Sequence, residues 1–294
     1  MKIALLTCDQ LPDLNPQDQP LIAELAKYHI TATAVIWDNP TIDWSNFDYL
    51  IFRNTWDYFE KEMQFNAWLS QIEKLGIKTL NSIATIKRNK HKFYLREMES
   101  QGVRILPTVF INKTPDLDLK AILPSNWKKA VIKPAFSAGS YQTEAFDVTN
   151  ADTISSQYKT IATEKELLLQ EFMPEIETLG ETSFIFFNKI FSHSVNKKPL
   201  QGDFRIQIQF GGKYTLCNPT SDLIAQAQKI IDLFPEELLY ARVDGIIIDD
   251  QLHLMEVECI ERDLYLNLSD GALGRFTKAI VNAIQPEPKI YNNN

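Results

Sequence analysis

The stretch from Tyr240 to Glu258 constrains the fold more than any other part of the chain. Two apolar runs of strand length, Tyr240–Ile248 and Leu252–Glu258, flank Asp249-Asp250, a pair suited to a tight hairpin turn. The runs carry Asp244, Glu256 and Glu258. Residues two apart on a strand share a face, so Glu256 and Glu258 point the same way out of the apolar run LHLMEVECI. Like carboxylates on one buried face repel each other and lose hydration, and a bound cation relieves both costs. Mg2+ takes a few carboxylate oxygens and completes its shell with phosphate oxygens and water. Spacing alone fits a solvated face of surface glutamates as well.

The rest of the chain has two rhythms. Residues 1–85 alternate strand-like runs (Lys2–Thr7, Thr31–Trp37, Tyr49–Phe52) with helical spacing at Pro20–Tyr28 and Phe65–Leu75, the latter stopped by Gly76. That order predicts a small parallel sheet covered by helices, an N-terminal α/β domain. From residue 86 a basic helix over Lys87–Ser100 is expected. Strand candidates follow at Ala130–Lys133, Leu167–Glu171, Thr182–Phe187, Lys189–Ser194, Asp203–Phe210 and Lys213–Leu216, with helices at Ser221–Leu233 and Ala272–Ile284. This is an α+β pattern over 86–284, divisible into a lid-type part (86–170) and a catalytic part (171–284), before a polar tail at 285–294.

Composition excludes several function classes. The formal charge is -8 and the pI about 5.2, which repels a polyanion and argues against nucleic acid. No segment approaches the roughly 20 apolar residues that span a bilayer, and MKIALLTCD reads as a first strand rather than a signal peptide. Cys8, Cys217 and Cys259 are scattered and odd in number, as expected of reduced thiols in a cytoplasmic protein. A homo-oligomer is compatible with all of this.

Four further elements carry chemistry. Lys133 ends VIKPAFSAGS, where the small residues Ser137, Ala138, Gly139 and Ser140 let backbone N–H groups approach phosphate, although no Walker A motif is present. Lys92 sits among Lys87, Arg88 and Lys90, equally readable as a solvated basic face. In LLLQEFMPE, Glu171, Phe172 and Met173 could meet an adenine edge. Arg205, in GDFR before Gly211-Gly212, is placed to meet a transferring phosphoryl group. The histidines have no metal-ligand spacing, and His193 in FSHSV reads as structural or as a substrate contact. No Ser-His-Asp or Cys-His nucleophile is legible.

The order of these elements resembles the ATP-grasp fold with an N-terminal pre-ATP-grasp domain. RNTWDYFEKEMQFNAWL (53–69), KFYLREMESQGVRILPT (92–108), VIKPAFSAGS (131–140), residues 170–212 and residues 241–266 are similar to the glutathione-synthetase-like members, most of all the branch that contains the cycloserine ring-closing ligase. The resemblance implies that Lys92 and Lys133 contact ATP phosphates, with Ser137, Gly139 and Ser140 around them. It implies that Glu171, Phe172 and Met173 hold adenine, and that Glu181 (with Glu177 as the weaker candidate) binds ribose. Arg205 would stabilise an acyl phosphate, and Asp244, Glu256 and Glu258 would hold Mg2+, with Mn2+ an admissible substitute. The implied reaction joins a small carboxylate substrate to an amine or similar nucleophile at the expense of ATP. Arg53, Trp56, Asp57 and Tyr58 are expected to wall the substrate site. Two departures bear on the substrate: Glu261-Arg262 stands where relatives carry Glu-Pro, and Glu258 stands where peptide-forming glutathione synthetases carry Asn. Two rival readings remain: an ATP-binding module without ligase activity, and an α/β interaction domain with structural acidic pairs.

Overall fold

In the computed structural model, which describes residues 1–200, 206, 211–260 and 263–285, the chain builds three sheets. The first holds β1 (Lys2–Thr7), β2 (Thr31–Ile36), β3 (Tyr49–Asn54) and β4 (Lys78–Leu80) in the order β2-β1-β3-β4, all parallel. Alternate residues of β1 feed opposite faces, as strand geometry requires. Ile3 and Leu5 meet Leu21 and Leu25 of the helix Pro20–Ala26 and Phe276 and Ile280 of the last helix, Ala272–Ile284. Ala4 and Leu6 meet Phe65, Trp68 and Leu69 of the helix Glu62–Leu75. The last described helix thus returns to cover the first sheet.

The second sheet holds β5 (Thr108–Ile111), β6 (Lys129–Pro134), β7 (Glu144–Asp147) and β8 (Leu167–Glu171) in the antiparallel order β5-β8-β6-β7, backed by the helix Ala151–Glu164. The third holds β9 (Glu181–Phe187), β10 (Ile190–Lys198), β11 (Lys213–Cys217), β12 (Tyr240–Ile248) and β13 (Gln251–Glu258) in the antiparallel order β11-β10-β9-β12-β13. The turn between β9 and β10 and the expected turn between β12 and β13 are left-handed at both central residues, Asn188 and Lys189 (φ 47° and 61°) and Asp249 and Asp250 (φ 49° and 57°). The expected strand Asp203–Phe210 lies outside the described residues except for Ile206, which is buried.

One sequence expectation is corrected. The basic segment is not one helix over 87–100 but two, Ile83–Asn89 and Tyr94–Ser100, with Lys92 in the break. The reason is tertiary. The Asn89 side chain donates to Val257 O at 2.7 Å and accepts from Cys259 N at 2.9 Å. The Tyr94 hydroxyl donates to Val257 O at 3.0 Å and accepts from Val257 N at 2.7 Å. These bonds outweigh the small propensity gain of a continuous helix, and they occupy the open edge of β13, an exposed pairing edge otherwise. Farther along that edge, Leu254 donates to Arg104 O at 2.8 Å and accepts from Leu106 N at 3.0 Å, tying the chain that enters the second sheet to the third.

β12 and β13 contain a bulge. Asp244 faces Glu256 and Gly245 faces Leu254, which leaves Met255 as the extra residue. Gly245 is required there, because a Cβ on it would lie 2.5 Å from the His253 carbonyl oxygen. Among the described residues no helix is long and apolar enough to cross a membrane.

Candidate active site

A cavity of about 670 Å³ is lined by residues of the second and third sheets and by loops that follow strands of the first. One end is an apolar slot formed by Leu106, Ile176, Ile206 and Ile246, with Phe172, Met173 and Met255 packed against them. The bulge delivers Met255 to this slot while its neighbour Glu256 also lines the cavity. At the slot's edge the Phe172 N–H donates to Lys129 O at 3.0 Å, and the Lys129 ammonium stands 3.9 Å from the Phe172 ring centre. Glu171 lines the same end, its carboxyl raised by burial and by Glu175.

Lys92 and Lys133 face the middle of the cavity. Lys92 is 8% exposed; its ammonium donates to Ser137 O at 2.6 Å and lies 3.7 Å from the Glu256 carboxylate. It therefore joins the small-residue loop to the acidic strand. Burial lowers Lys133 to about 8, against the opposing pull of Glu256 and with help from Lys92. A lysine so depressed gains most from an anionic ligand. Ser137, Gly139 and Ser140 line the cavity beside these cations, with Gly139 and Ser140 both left-handed (φ 60° and 64°). The loop has more apolar anchorage than FSAGSYQT suggests: Phe136 packs on Tyr58 at 5.6 Å and Tyr141 on Phe59 at 5.3 Å between ring centres.

The opposite wall is a buried charge network that sequence reading missed. Arg242 grips Asp244 through Nε (2.9 and 3.0 Å) and Nη2 (2.5 Å), and Ser183 donates to the same carboxylate at 2.5 Å. Lys197 pairs with Glu181 and lies 3.5 Å from Asp244. Burial disfavours the charge on Arg242 and Lys197, but Asp244 foremost holds both strongly protonated. Lys197, Arg242 and Glu181 all line the cavity. The available signal was a charged residue at alternate positions inside an apolar run, as in ARVDG.

The structure places the remaining expected residues as follows. Glu256 and Glu258 are successive same-face residues of β13, the former partly exposed to the cavity and the latter 6% exposed. Both oxygens of Asp244 are engaged by Arg242, Ser183 or Lys197, so it is the least available of the three carboxylates. Among the described residues no three acidic, imidazole or thiol groups converge as a ready-made metal cage. Mg2+ needs only one or two carboxylates when phosphate oxygens complete its shell, so Glu256, which lines the cavity, fits it; Glu258 sits behind it and does not line the cavity, and Asp244 joins only by exchanging a contact. Arg205 lies outside the described residues. Of the expected substrate wall only Trp56 lines the cavity. Arg53 is fully buried against Asp18 (2.8 Å), Asp57 accepts from Trp37 (2.7 Å) and Lys61 (2.6 Å), and Tyr58 sits in the aromatic core. His193 is bonded to Leu264 O (3.0 Å) and Ser192 (2.9 Å), is lowered to about 4 by burial, and does not line the cavity.

Two cation-bearing walls, an apolar slot and an acidic strand thus meet at one cavity. Residues 3–81 match the family model for the N-terminal domain of the D-cycloserine synthetase DcsG. The cycloserine biosynthesis protein DcsG of Streptomyces lavendulae is 26% identical over 286 residues, 91% of this chain and 93% of its own. The crystal structure of D-cycloserine synthetase DcsG superposes with a TM-score of 0.87 at 21% identity, covering 97% of this chain and 100% of its own. The chain has the ATP-grasp fold and is similar to DcsG over nearly its whole length. The fold is shared more widely. A D-alanine–D-alanine ligase from Bacillus anthracis, solved with ATP, superposes with a TM-score of 0.68 at 15% identity over 97% of this chain and 96% of its own. Within the ATP-grasp frame, an ATP-dependent ligase frame, the cavity falls between the second and third sheets.

Proposed function

We propose that this ATP-dependent ligase activates a small carboxylate as its acyl phosphate and passes the acyl group to a nitrogen nucleophile, either on a second molecule or on the same one. The observation that carries this reading is the convergence of four cations, Lys92, Lys133, Lys197 and Arg242, on one cavity that Glu256 also lines. A triphosphate is the common anion that uses so many cations at once, and adenine fits the apolar slot beside Met173.

In the proposed first step a carboxylate oxygen attacks the γ-phosphorus and the bond to ADP breaks. In the second, nitrogen attacks the acyl carbon, inorganic phosphate leaves and the nitrogen loses a proton. Mg2+, held by Glu256 and, by resemblance, Glu258, would supply charge neutralisation on the phosphates. The chain's own share is positioning and a preorganised positive field: Lys92 and Lys133 from one side, Lys197 and Arg242 from the other. Arg205 belongs to the same proposal by resemblance alone, as do Glu181 at ribose and a division of the chain near residue 85. Glu181 would keep that role while paired to Lys197, since a carboxylate accepts several donors.

A phosphate-release screen of amino acids and short peptides with ATP and Mg2+ tests the reading. Carboxylate-dependent release supports it, and nucleotide binding with no release under any carboxylate favours a binding module. A sharper expectation concerns the phosphate cradle. Lys133→Ala weakens ATP binding, measured by calorimetry, about 10-fold or more, whereas Lys87→Ala, removing an exposed partner of Glu73, leaves it within about twofold. Equal effects would mean that the loop after β6 does not hold the phosphates.

A further inference from the structure

At Val257 the outer edge of β13 is closed by side chains rather than by another strand. Tyr94, the first residue of the helix Tyr94–Ser100, spans that edge: its hydroxyl donates to the Val257 carbonyl at 3.0 Å and accepts the Val257 N–H at 2.7 Å. Asn89, the last residue of the preceding helix, donates to the same carbonyl at 2.7 Å and accepts the Cys259 N–H at 2.9 Å. Val257 stands between Glu256 and Glu258, and its side chain packs in the core with Val243 and Leu254. Its N–H belongs to the peptide shared with Glu256, and its carbonyl to the peptide shared with Glu258. One hydroxyl thus holds the peptide planes on both sides of Val257, and a turn of either plane would swing the glutamate attached to it.

The two residues that grip the strand also flank Lys92. The Lys92 N–H donates to Ala135 O at 2.9 Å, just past the end of β6, and its ammonium donates to Ser137 O at 2.6 Å while lying 3.7 Å from Glu256. The break between the helices therefore ties the acidic strand, the cation and the small-residue loop to one short segment. The Tyr94 hydroxyl is buried, and burial, with Glu256 and Glu258 nearby, raises it well above the usual phenol range. It keeps its proton, and so it can donate and accept at once. Its ring packs with Leu95 and Met98 in the core, so the hydroxyl can be removed with that packing left in place.

We propose that Tyr94 and Asn89 are positioning residues for the metal-site carboxylate: by fixing the backbone around Val257 they keep Glu256 turned to the cavity and in register with Lys92. The inference rests on the Mg2+-nucleotide reading above and goes beyond it, because neither side chain lines the cavity. Groups that orient a metal-binding carboxylate from behind tune the affinity for the metal without touching it. Here the orienting bonds act through the main chain. Without the Tyr94 hydroxyl the Val257 N–H loses its partner, and the peptide that carries Glu256 is free to turn.

The test is binding rather than turnover. Calorimetry with a non-hydrolysable ATP analogue, run in saturating Mg2+ and again in EDTA, gives the affinity that the metal adds. In Tyr94→Phe that gain is expected to fall about tenfold or more, while the affinity in EDTA stays within about twofold of the parent's. Asn89→Ala is expected to act in the same direction and more weakly, since Val257 keeps both Tyr94 bonds; it also carries the test if Tyr94→Phe yields too little folded protein. Leu95→Val, which thins the core contact of the same helix away from the strand edge, is expected to lower the unfolding midpoint and leave the gain unchanged. A full gain from Mg2+ in Tyr94→Phe, with only stability reduced as in Leu95→Val, would overturn the proposal and spare the nucleotide reading. No gain from Mg2+ in the parent protein would sink the metal reading and the proposal together.

Discussion

Glu256→Gln and Glu258→Gln are each expected to lower ATP-dependent turnover by about 10²- to 10³-fold with little change in stability. Each change removes one anionic oxygen donor from β13 without changing shape. The strand itself stays fixed, because its outer edge is bonded by Asn89 and Tyr94 at Val257, between the two glutamates. Glu256 also lies 3.7 Å from the Lys92 ammonium. Steady-state phosphate release over a range of Mg2+ concentrations is the measurement. Near-wild-type turnover in either variant at ordinary Mg2+ would remove that residue from the metal site.

Asp244→Asn should behave differently, because its largest effect falls on the fold. Asp244 is fully buried and carries the negative charge that balances Arg242 and, in part, Lys197. Breaking a buried ion pair from one side leaves the partner desolvated and uncompensated, at a cost of about 3–5 kcal/mol. Urea unfolding with an unchanged slope and a lower midpoint is the expected signature. Arg242 would also lose the grip that orients its guanidinium along the cavity wall, so turnover falls together with stability. A variant as stable as the parent would show that the Arg242–Asp244 pair contributes nothing net, and the charge network would have to be redrawn around Lys197 and Glu181.

Much of this molecule was legible in its sequence because its strands are apolar and bounded by strong turn residues. Lys2–Thr7, the hairpins at Asn188-Lys189 and Asp249-Asp250, and the closing helix over 272–284 all follow from period and turn chemistry. What was not legible was local pattern overruled by distant partners. Nothing between residues 87 and 100 announces the break at Lys92; it arises because Asn89 and Tyr94 bond a strand more than 160 residues away. β4, β5 and β7 escaped because they span three or four residues each, and the helix Ala151–Glu164 because its Ser and Thr content blurs its apolar stripe. At the site, residue type led to Lys92, Lys133, Glu171 and Glu256, which the fold gathers around one cavity. It misjudged RNTWDY, where charged and aromatic residues beside a strand end suggested a binding wall. Arg53 and Asp57 instead have buried partners, Asp18 and Trp37, that no spacing rule relates to them.

The central claim is that this cavity transfers the γ-phosphoryl group of ATP to a carboxylate. Oxygen-isotope transfer tests it most directly. A carboxylate that stimulates phosphate release is labelled with oxygen-18 in its carboxyl group and turned over with unlabelled ATP and Mg2+, and the released phosphate is analysed by mass spectrometry. Because the attacking carboxylate oxygen stays on phosphorus when the nucleophile displaces phosphate, the account predicts one labelled oxygen in each phosphate formed. Phosphate released without label, at a rate that depends on the carboxylate, would contradict it.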